Sequence, residues 1–298
     1  MDGAGRRQGR LGPTVRARVE LPAESAANRI ISHATTRLRM TPLIYAHRGG
    51  AALRPENTIA AFDHGLACGA EGLEFDVHLS RDGIVVIHHD EAVERTTNGR
   101  GPVAALTASE LGALDAGYHF EDDDDTGFPF RGQGIGVPML SEVLRRYPGA
   151  PLIIELKVAG AQLAQQVVDD VRAAGAVERV AIGSFYPDAI HTVRRYEPAI
   201  ATGAATEETR WALYRSWIGL GLGATPYREF QVPEWAGYTP IVTRRFVAAA
   251  HRAGIPVKVW TVNGLADMRR LIALGVDGLI TDRPDLARTL VPFAGAAG

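Results

Sequence analysis

Short apolar runs that read as β-strands alternate with amphipathic helical stretches along almost the whole of residues 43–281, and this rhythm limits the fold more than any other feature. Strands separated by helices run parallel, because the chain returns along each helix before it starts the next strand. We read strands near Leu43–His47, Gly72–His78, Ile84–His88, Leu152–Lys157, Val180–Phe185, Ile200–Ala205, Ala224–Val232, Val257–Val262 and Gly278–Thr281. Between them Ile59, Phe62, Leu66 and Ala70 form one helical stripe, Leu163, Val167 and Val171 a second, and Leu265, Met268, Leu271 and Ile272 a third. Asn57 or Thr58 is placed to cap the first of these helices. The strands are one too many for an eight-fold barrel. Arg81-Asp82-Gly83 resolves the excess, since Leu79 to Ile84 is too short for a parallel crossover and an Asp-Gly pair signals a tight hairpin. With Asp82 and Gly83 as the loop, Asp76 pairs with His89 and the third strand becomes an antiparallel return arm. The expectation is a TIM-type (β/α)8 barrel with an insertion after the third strand.

The barrel domain is expected over residues 41–298 with its insertion at about 95–138, behind a flexible extension at 1–40 rich in Arg, Gly and Ala. Met40 sits just before the first strand, so an upstream start that adds a leader is a second reading of that extension, and a basic arm for nucleic acid is a third. In the chain as a whole, 32 basic and 34 acidic residues give a net charge of −2, so no global field draws in nucleic acid or an anionic membrane. Any anionic ligand must be met locally. Cys68 is the only cysteine, which excludes an internal disulfide and a thiolate zinc cluster. No run approaches the roughly 20 apolar residues of a membrane span and no signal-peptide pattern opens the chain, so a cytoplasmic protein without stable membrane insertion is expected.

The polar residues that carry chemistry cluster at the carboxyl ends of the parallel strands, where barrel enzymes keep their sites. His47 and Arg48 end the first strand; Glu74 and Asp76, two apart on the second, face one side of the sheet, and Glu155 and Lys157 repeat that spacing. Three ionised carboxylates facing one interior need a cation or strong donors. Oxygen ligands favour a hard ion, Mg²⁺, Ca²⁺ or Mn²⁺, while simple pairing of Glu155 with Lys157 or Arg48 is the plainer alternative. His47 and His89 reach the same height, and two imidazoles flanking a phosphate can serve as base and acid. Arg48 and Lys157 offer positive charge to phosphate oxygens. His88 is expected to pack behind this site, and Lys258 to sit low in the barrel with an acidic partner.

At this point the chain resembles the glycerophosphodiester phosphodiesterase family, on the serial motifs AHRGG and RPENT, LEFDVHLSRDGIVVIHHD, RTTNG, IIELK, GSF, VWTVN and ITDRP from about Tyr45 to Pro284. The resemblance implies His47 and His89 as the acid/base pair and one divalent cation on Glu74, Asp76 and Glu155 with support from Glu56. It also implies phosphate on Arg48 and Lys157, and Phe185 and Trp260 lining the alcohol side. The implied reaction is hydrolysis of a glycerophosphodiester to sn-glycerol 3-phosphate and an alcohol, with water or the substrate's own 2-hydroxyl as nucleophile. A lysophospholipase D on the same scaffold is the nearest rival and would call for an apolar collar on the insertion, for which Tyr118, Phe128 and Phe130 are candidates. A barrel that binds phosphodiesters without turnover is the other. The acidic run Glu121–Asp125 reads as a solvated loop tip, with a calcium site as its alternative.

Overall fold

A computed structural model describes residues 41–121 and 127–292; the N-terminal extension and all of the acidic run beyond Glu121 lie outside the described residues. In chain order the strands are β1 (Leu43–His47), β2 (Gly72–Leu79), β3 (Val85–Ile87), β4 (Leu152–Leu156), β5 (Val180–Ser184), β6 (Ala201–Thr202), β7 (Phe230–Pro233), β8 (Trp235–Ala236), β9 (Thr239–Pro240), β10 (Val257–Trp260) and β11 (Gly278–Thr281). Eight run parallel in the order β6-β5-β4-β2-β1-β11-β10-β7. A parallel bridge between Gly203 and Glu229 joins the two outer strands, supported by Ala204 N–H donating to the Glu229 carbonyl at 3.0 Å. The sheet therefore closes on itself in sequential order, which is the TIM-barrel topology.

Strand alternation divides the barrel into an outer and an inner layer. Ile44, Ala46, Leu73, Phe75, Val77, Ile154 and Leu156 point outward into the large core beneath the helices. Tyr45, Ile153 and Ile280 point inward and form an apolar plug against which Leu43 and Trp260 pack. Each plug residue is followed two positions later by a polar one, His47, Glu155 and Asp282, so these stand one layer higher, at the carboxyl mouth. Lower in the interior, Lys258 Nζ donates to both carboxylate oxygens of the buried Glu229 at 2.8 Å, which supplies the expected acidic partner.

Several strands are shorter than expected, β6 and β7 by the most. β6 stops at Thr202 because Ala205 leaves the sheet to open helix Thr206–Trp217, its N–H donating to the Glu208 side chain at 2.7 Å. β7 starts only at Phe230, since Pro226 lacks an N–H and Gly223 takes a left-handed φ of 74°. The hairpin register also differs by one residue. Val77 pairs with Ile87 and Leu79 with Val85, and His88 N–H donates to the Asp76 carbonyl, so Asp76 lies opposite His88 rather than His89. The reason is a three-residue loop, Arg81 to Gly83, closed by Gly83 at φ 77° and by Ser80 N–H donating to the Ile84 carbonyl. Asp82 accepts from Ser80 Oγ and from Ala108 N–H, which ties the insertion to the hairpin.

The connection from β3 to β4 is structured, and its last element is the helix Leu140–Arg146. A short helix, Ala108–Gly112, starts on a capping box between Thr107 and Glu110. Val86, Val93, Val103, Ala108, Leu111, Ala116 and Val137 bury a small core of their own there. Among the described residues no helix is long and apolar enough to cross a membrane.

Candidate active site

The turn after β1 creates the floor of the site. Arg48 sits at φ 49° and Asn57 at φ 59°, a left-handed conformation that non-glycine residues rarely adopt and that concentrates at functional positions. Gly49 follows at φ 87°, and a Cβ there would lie 2.7 Å from that of Ala61, so the turn packs directly on helix Ile59–Ala67. Thr58 caps that helix by accepting from Ala61 N–H. Asn57 does something else: its Nδ2 donates to Asp76 Oδ2 at 3.0 Å while its backbone N–H donates to the Arg48 carbonyl. The bend at Arg48 and the Asp76 carboxylate are thus fixed to each other.

Glu74, Asp76 and Glu155 each present a carboxylate oxygen within 4.8 Å of the others, the first two buried. Arg48 N–H donates to Glu74 Oε2 at 3.2 Å, and Lys157 Nζ lies 2.9 Å from Glu155 Oε1 and 3.4 Å from Asp76 Oδ1. The plainer pairing of Glu155 with Lys157 is therefore present, yet among the described residues no Lys or Arg side chain pairs with Glu74, whose cationic neighbour is His47. Burial pushes Glu74 up, His47 partly opposes this, and Asp76 and Glu155 add to it, so that its carboxyl is held at about 8. Arg48 Nε stands 3.3 Å from Asp76 Oδ2, but it is the one buried side-chain nitrogen or oxygen among the described residues without a hydrogen bond. A donor left in this state suits a bound anion.

Both imidazoles are anchored through Nδ1. His47 Nδ1 is 2.6 Å from Asp282 Oδ1, and His89 Nδ1 is 2.6 Å from Asp90 Oδ1. His47 Nε2 then lies 3.8 Å from Glu74 Oε2. Burial would lower the His47 pKa, but Glu74 and Asp282 outweigh it and raise it. His89 has left the extended arm, and its carbonyl is held by His78 Nε2 at 3.1 Å. A chain of ion pairs ties it to the floor: Asp90 to Arg95, Arg95 to both oxygens of Glu56 at 2.7 and 2.8 Å, and Glu56 to Arg48 at 2.9 Å. Burial pushes Glu56 up, but Arg95 and Arg48 more than reverse this and hold it at about 2. His88 is buried with Nε2 on the Ala92 carbonyl, a packing position as expected.

Phe185 follows β5 and packs edge-on against Trp260 at the end of β10, with ring centroids 5.9 Å apart. Together with Glu155 they line the near end of a cleft of about 390 Å³. The site residues named from sequence thus fall at one mouth: His47, Arg48, Glu56, Glu74, Asp76, Glu155 and Lys157 in direct contact, His89 through the Glu56 chain, and Phe185 and Trp260 beside Glu155. Tyr118, Phe128 and Phe130 do not form a collar. Arg131 covers Tyr118 and Phe128 at 4.1 and 3.7 Å, Arg54 lies 5.2 Å over Phe130, and none of the three rings lines the cleft.

Comparison with known proteins fixes the family. The model of the glycerophosphoryl diester phosphodiesterase family matches residues 47–286. The chain belongs to this family. A glycerophosphodiester phosphodiesterase of Caldanaerobacter subterraneus subsp. tengcongensis is 33% identical over 262 residues, covering 86% of this chain and all of the relative. The crystal structure of a glycerophosphodiester phosphodiesterase from Agrobacterium tumefaciens aligns with a TM-score of 0.68 at 30% identity, covering 83% of this chain and 99% of that one. An Oleispira antarctica phosphodiesterase, whose structure is a complex with the product sn-glycerol-3-phosphate, shares the fold at a TM-score of 0.65 and 24% identity, over 84% of this chain and 96% of its own. The chain is accordingly an enzyme of phosphodiester hydrolysis.

Four residues of the site were given no site role in sequence: Asn57, read only as a helix-cap candidate, and Asp90, Arg95 and Asp282. Asp282 had a readable signal, since it lies in ITDRP just past a parallel strand, at the same rim as His47. Asp90 directly follows His89. Arg95 and Asn57 act through partners 39 and 19 residues away, distances that no spacing rule connects.

Proposed function

We propose that the protein hydrolyses glycerophosphodiesters to sn-glycerol 3-phosphate and an alcohol, with His47 and His89 as the acid/base pair and one divalent cation held by Glu74, Asp76 and Glu155. The observation that carries this reading is the pairing of two imidazoles, each with Nδ1 fixed on a carboxylate, beside a three-carboxylate cluster. The product bound to the Oleispira enzyme supports the same product here. The barrel domain in this reading spans 41–298.

The donor set suits a hard ion. All three candidate ligands are carboxylate oxygens, and burial, with the Asp76 and Glu155 charges adding to it, raises the Glu74 pKa, a cost to its ionised form that a cation would relieve. Mg²⁺ and Ca²⁺ fit this set, with Mn²⁺ a third candidate. When bound, such an ion polarises the phosphodiester and offsets charge on its oxygens. Glu56 supports the cluster by orienting Arg48, whose unbonded Nε donates to a phosphate oxygen while Lys157, just past the end of β4, adds a positive charge. One histidine takes the proton of the attacking oxygen at Nε2; the other gives its proton to the oxygen of the departing alcohol as the P–O bond breaks. Water supplies the attacking oxygen directly, or the substrate's 2-hydroxyl does so and forms a cyclic phosphate that water then opens to glycerol 3-phosphate. Phe185 and Trp260 receive the alcohol side.

The test is release of glycerol 3-phosphate from glycerophosphocholine with Mg²⁺, Ca²⁺ or Mn²⁺ present. Turnover by the wild type and a loss of about 10²- to 10⁴-fold in His47→Ala and in His89→Ala is expected. Full activity in either variant contradicts the two-histidine scheme.

A further inference from the structure

Gly183 of β5, Gly203 just past β6 and Gln231 of β7 face the barrel interior and line the cleft that begins at Phe185 and Trp260. Ile182 and Val232 beside them point out into the core. The two glycines make room for the glutamine. A Cβ on Gly203 would lie 3.2 Å from Gln231 Cδ, and a Cβ on Gly183 only 2.3 Å from its Oε1. The side chain therefore passes over Gly203 and ends over Gly183, whose register partner on β4 is Glu155. Its amide stands one strand away from the carboxylate cluster, on the side given to the departing alcohol.

The buried ion pair below sets which way this amide faces. Gln231 Nε2 donates to Glu229 Oε1 at 2.8 Å, and Lys258 Nζ donates to both oxygens of the same carboxylate. A carboxylate only accepts, so the amide turns its NH₂ toward Glu229 and its Oε1 away. Oε1 has no partner among the described residues. Because Arg48 Nε is the one buried side-chain nitrogen or oxygen in that state, Oε1 is open to the cleft. Thr206 and Thr209 add two hydroxyls to the same lining, while Leu213, Tyr214 and Trp217 make much of the rest apolar.

Resting on the hydrolysis reading above, we propose that Gln231 selects the departing alcohol, its Oε1 accepting a hydrogen bond from a free hydroxyl of a neutral polyhydric alcohol. A glycerol ester keeps two hydroxyls that can donate there. A choline ester keeps none, since its oxygen is bonded to phosphorus and its nitrogen is fully methylated. An ammonium also finds no uncommitted counter-charge: Glu155 is the one carboxylate among the described lining residues, and it belongs to the three-carboxylate cluster.

The test compares glycerol 3-phosphate release from glycerophosphoglycerol and from glycerophosphocholine, read as the ratio of their kcat/KM values. Gln231→Met removes the acceptor at nearly constant shape and leaves Glu229 on Lys258. Gly183→Ala keeps the glutamine but displaces its flexible end, which the added Cβ would otherwise meet. The wild type is expected to favour glycerophosphoglycerol by at least about threefold, and each variant to lower that ratio by about three- to tenfold, the worth of one neutral hydrogen bond. A packing role for Gln231 would slow both substrates equally and leave the ratio in place. A wild type that favours glycerophosphocholine, a ratio that either variant leaves unchanged, or activity on bis(p-nitrophenyl) phosphate alone overturns the proposal and leaves phosphodiester hydrolysis standing. A wild type inactive on all three overturns the hydrolysis reading and this one with it.

Discussion

Replacing Asp282 by Asn changes one atom and removes one charge, and the geometry gives that change a large effect. Asp282 Oδ1 holds His47 Nδ1 at 2.6 Å while Oδ2 accepts from Asn263 Nδ2 at 2.7 Å. An amide in this place has a single acceptor for two donors. If its oxygen keeps the His47 N–H, its NH₂ faces that of Asn263. If it satisfies Asn263, its NH₂ meets His47 Nδ1 and forces the proton onto Nε2, which blocks His47 as a base. Loss of the charge alone removes about 1.5–3 kcal/mol of hydrogen bonding, some 10- to 150-fold in rate. A forced tautomer raises the loss toward about 10⁴, the size seen when a catalytic histidine loses its orienting carboxylate. We therefore expect kcat/KM of Asp282→Asn on glycerophosphocholine to fall at least about 100-fold. The charge also helps raise the His47 pKa against burial, so the limb of the pH profile that reports His47 moves to lower pH in the variant. A folded Asp282→Asn enzyme within threefold of wild type, with an unmoved pH profile, refutes the role given to Asp282.

Three further outcomes follow from the same contacts. Lys258→Met strands the buried Glu229 carboxylate and is expected to cost about 3–5 kcal/mol in urea unfolding, whereas Lys258→Met combined with Glu229→Leu recovers most of it; equal loss in both refutes the buried pair as the cause. Glu56 is held at about 2 against an ordinary 4.5, so its ionised form stabilises the fold by roughly 3 kcal/mol above pH 4.5, a contribution lost as pH falls through 2. The stability gap between wild type and Glu56→Gln should accordingly close between pH 5 and 2, and a constant gap would falsify the assignment. With Glu74 at about 8, cation binding at pH 7 displaces a proton, which titration calorimetry in buffers of different ionisation enthalpy reads directly; no proton release contradicts the carboxylate assignment.

The barrel was legible because its signals are local. Alternation on β2 put Glu74 and Asp76 on one face, and a short connection after Leu79 exposed β3 as a return arm. The position of His89 at the mouth was expected for a reason the structure replaces: strand pairing does not bring it there, since the register is one residue off and β3 ends at Ile87. The bend held by His78 and the Asp90–Arg95–Glu56 chain do so instead. Long-range partners of this kind leave no periodicity to read. The apolar lining of the cleft escaped for a related reason, because Leu213, Tyr214 and Trp217 look like any helix face until the closed barrel brings that helix to the same cleft as Glu155.

Metal content and activity measured together on one sample test the central claim most directly. Dialysis against EDTA should abolish release of glycerol 3-phosphate, and back-titration with Mg²⁺, Ca²⁺ or Mn²⁺ should restore it in proportion to one ion bound per chain, with Glu155→Gln binding the ion more weakly. Full activity in a chain shown to hold no divalent cation would contradict the account.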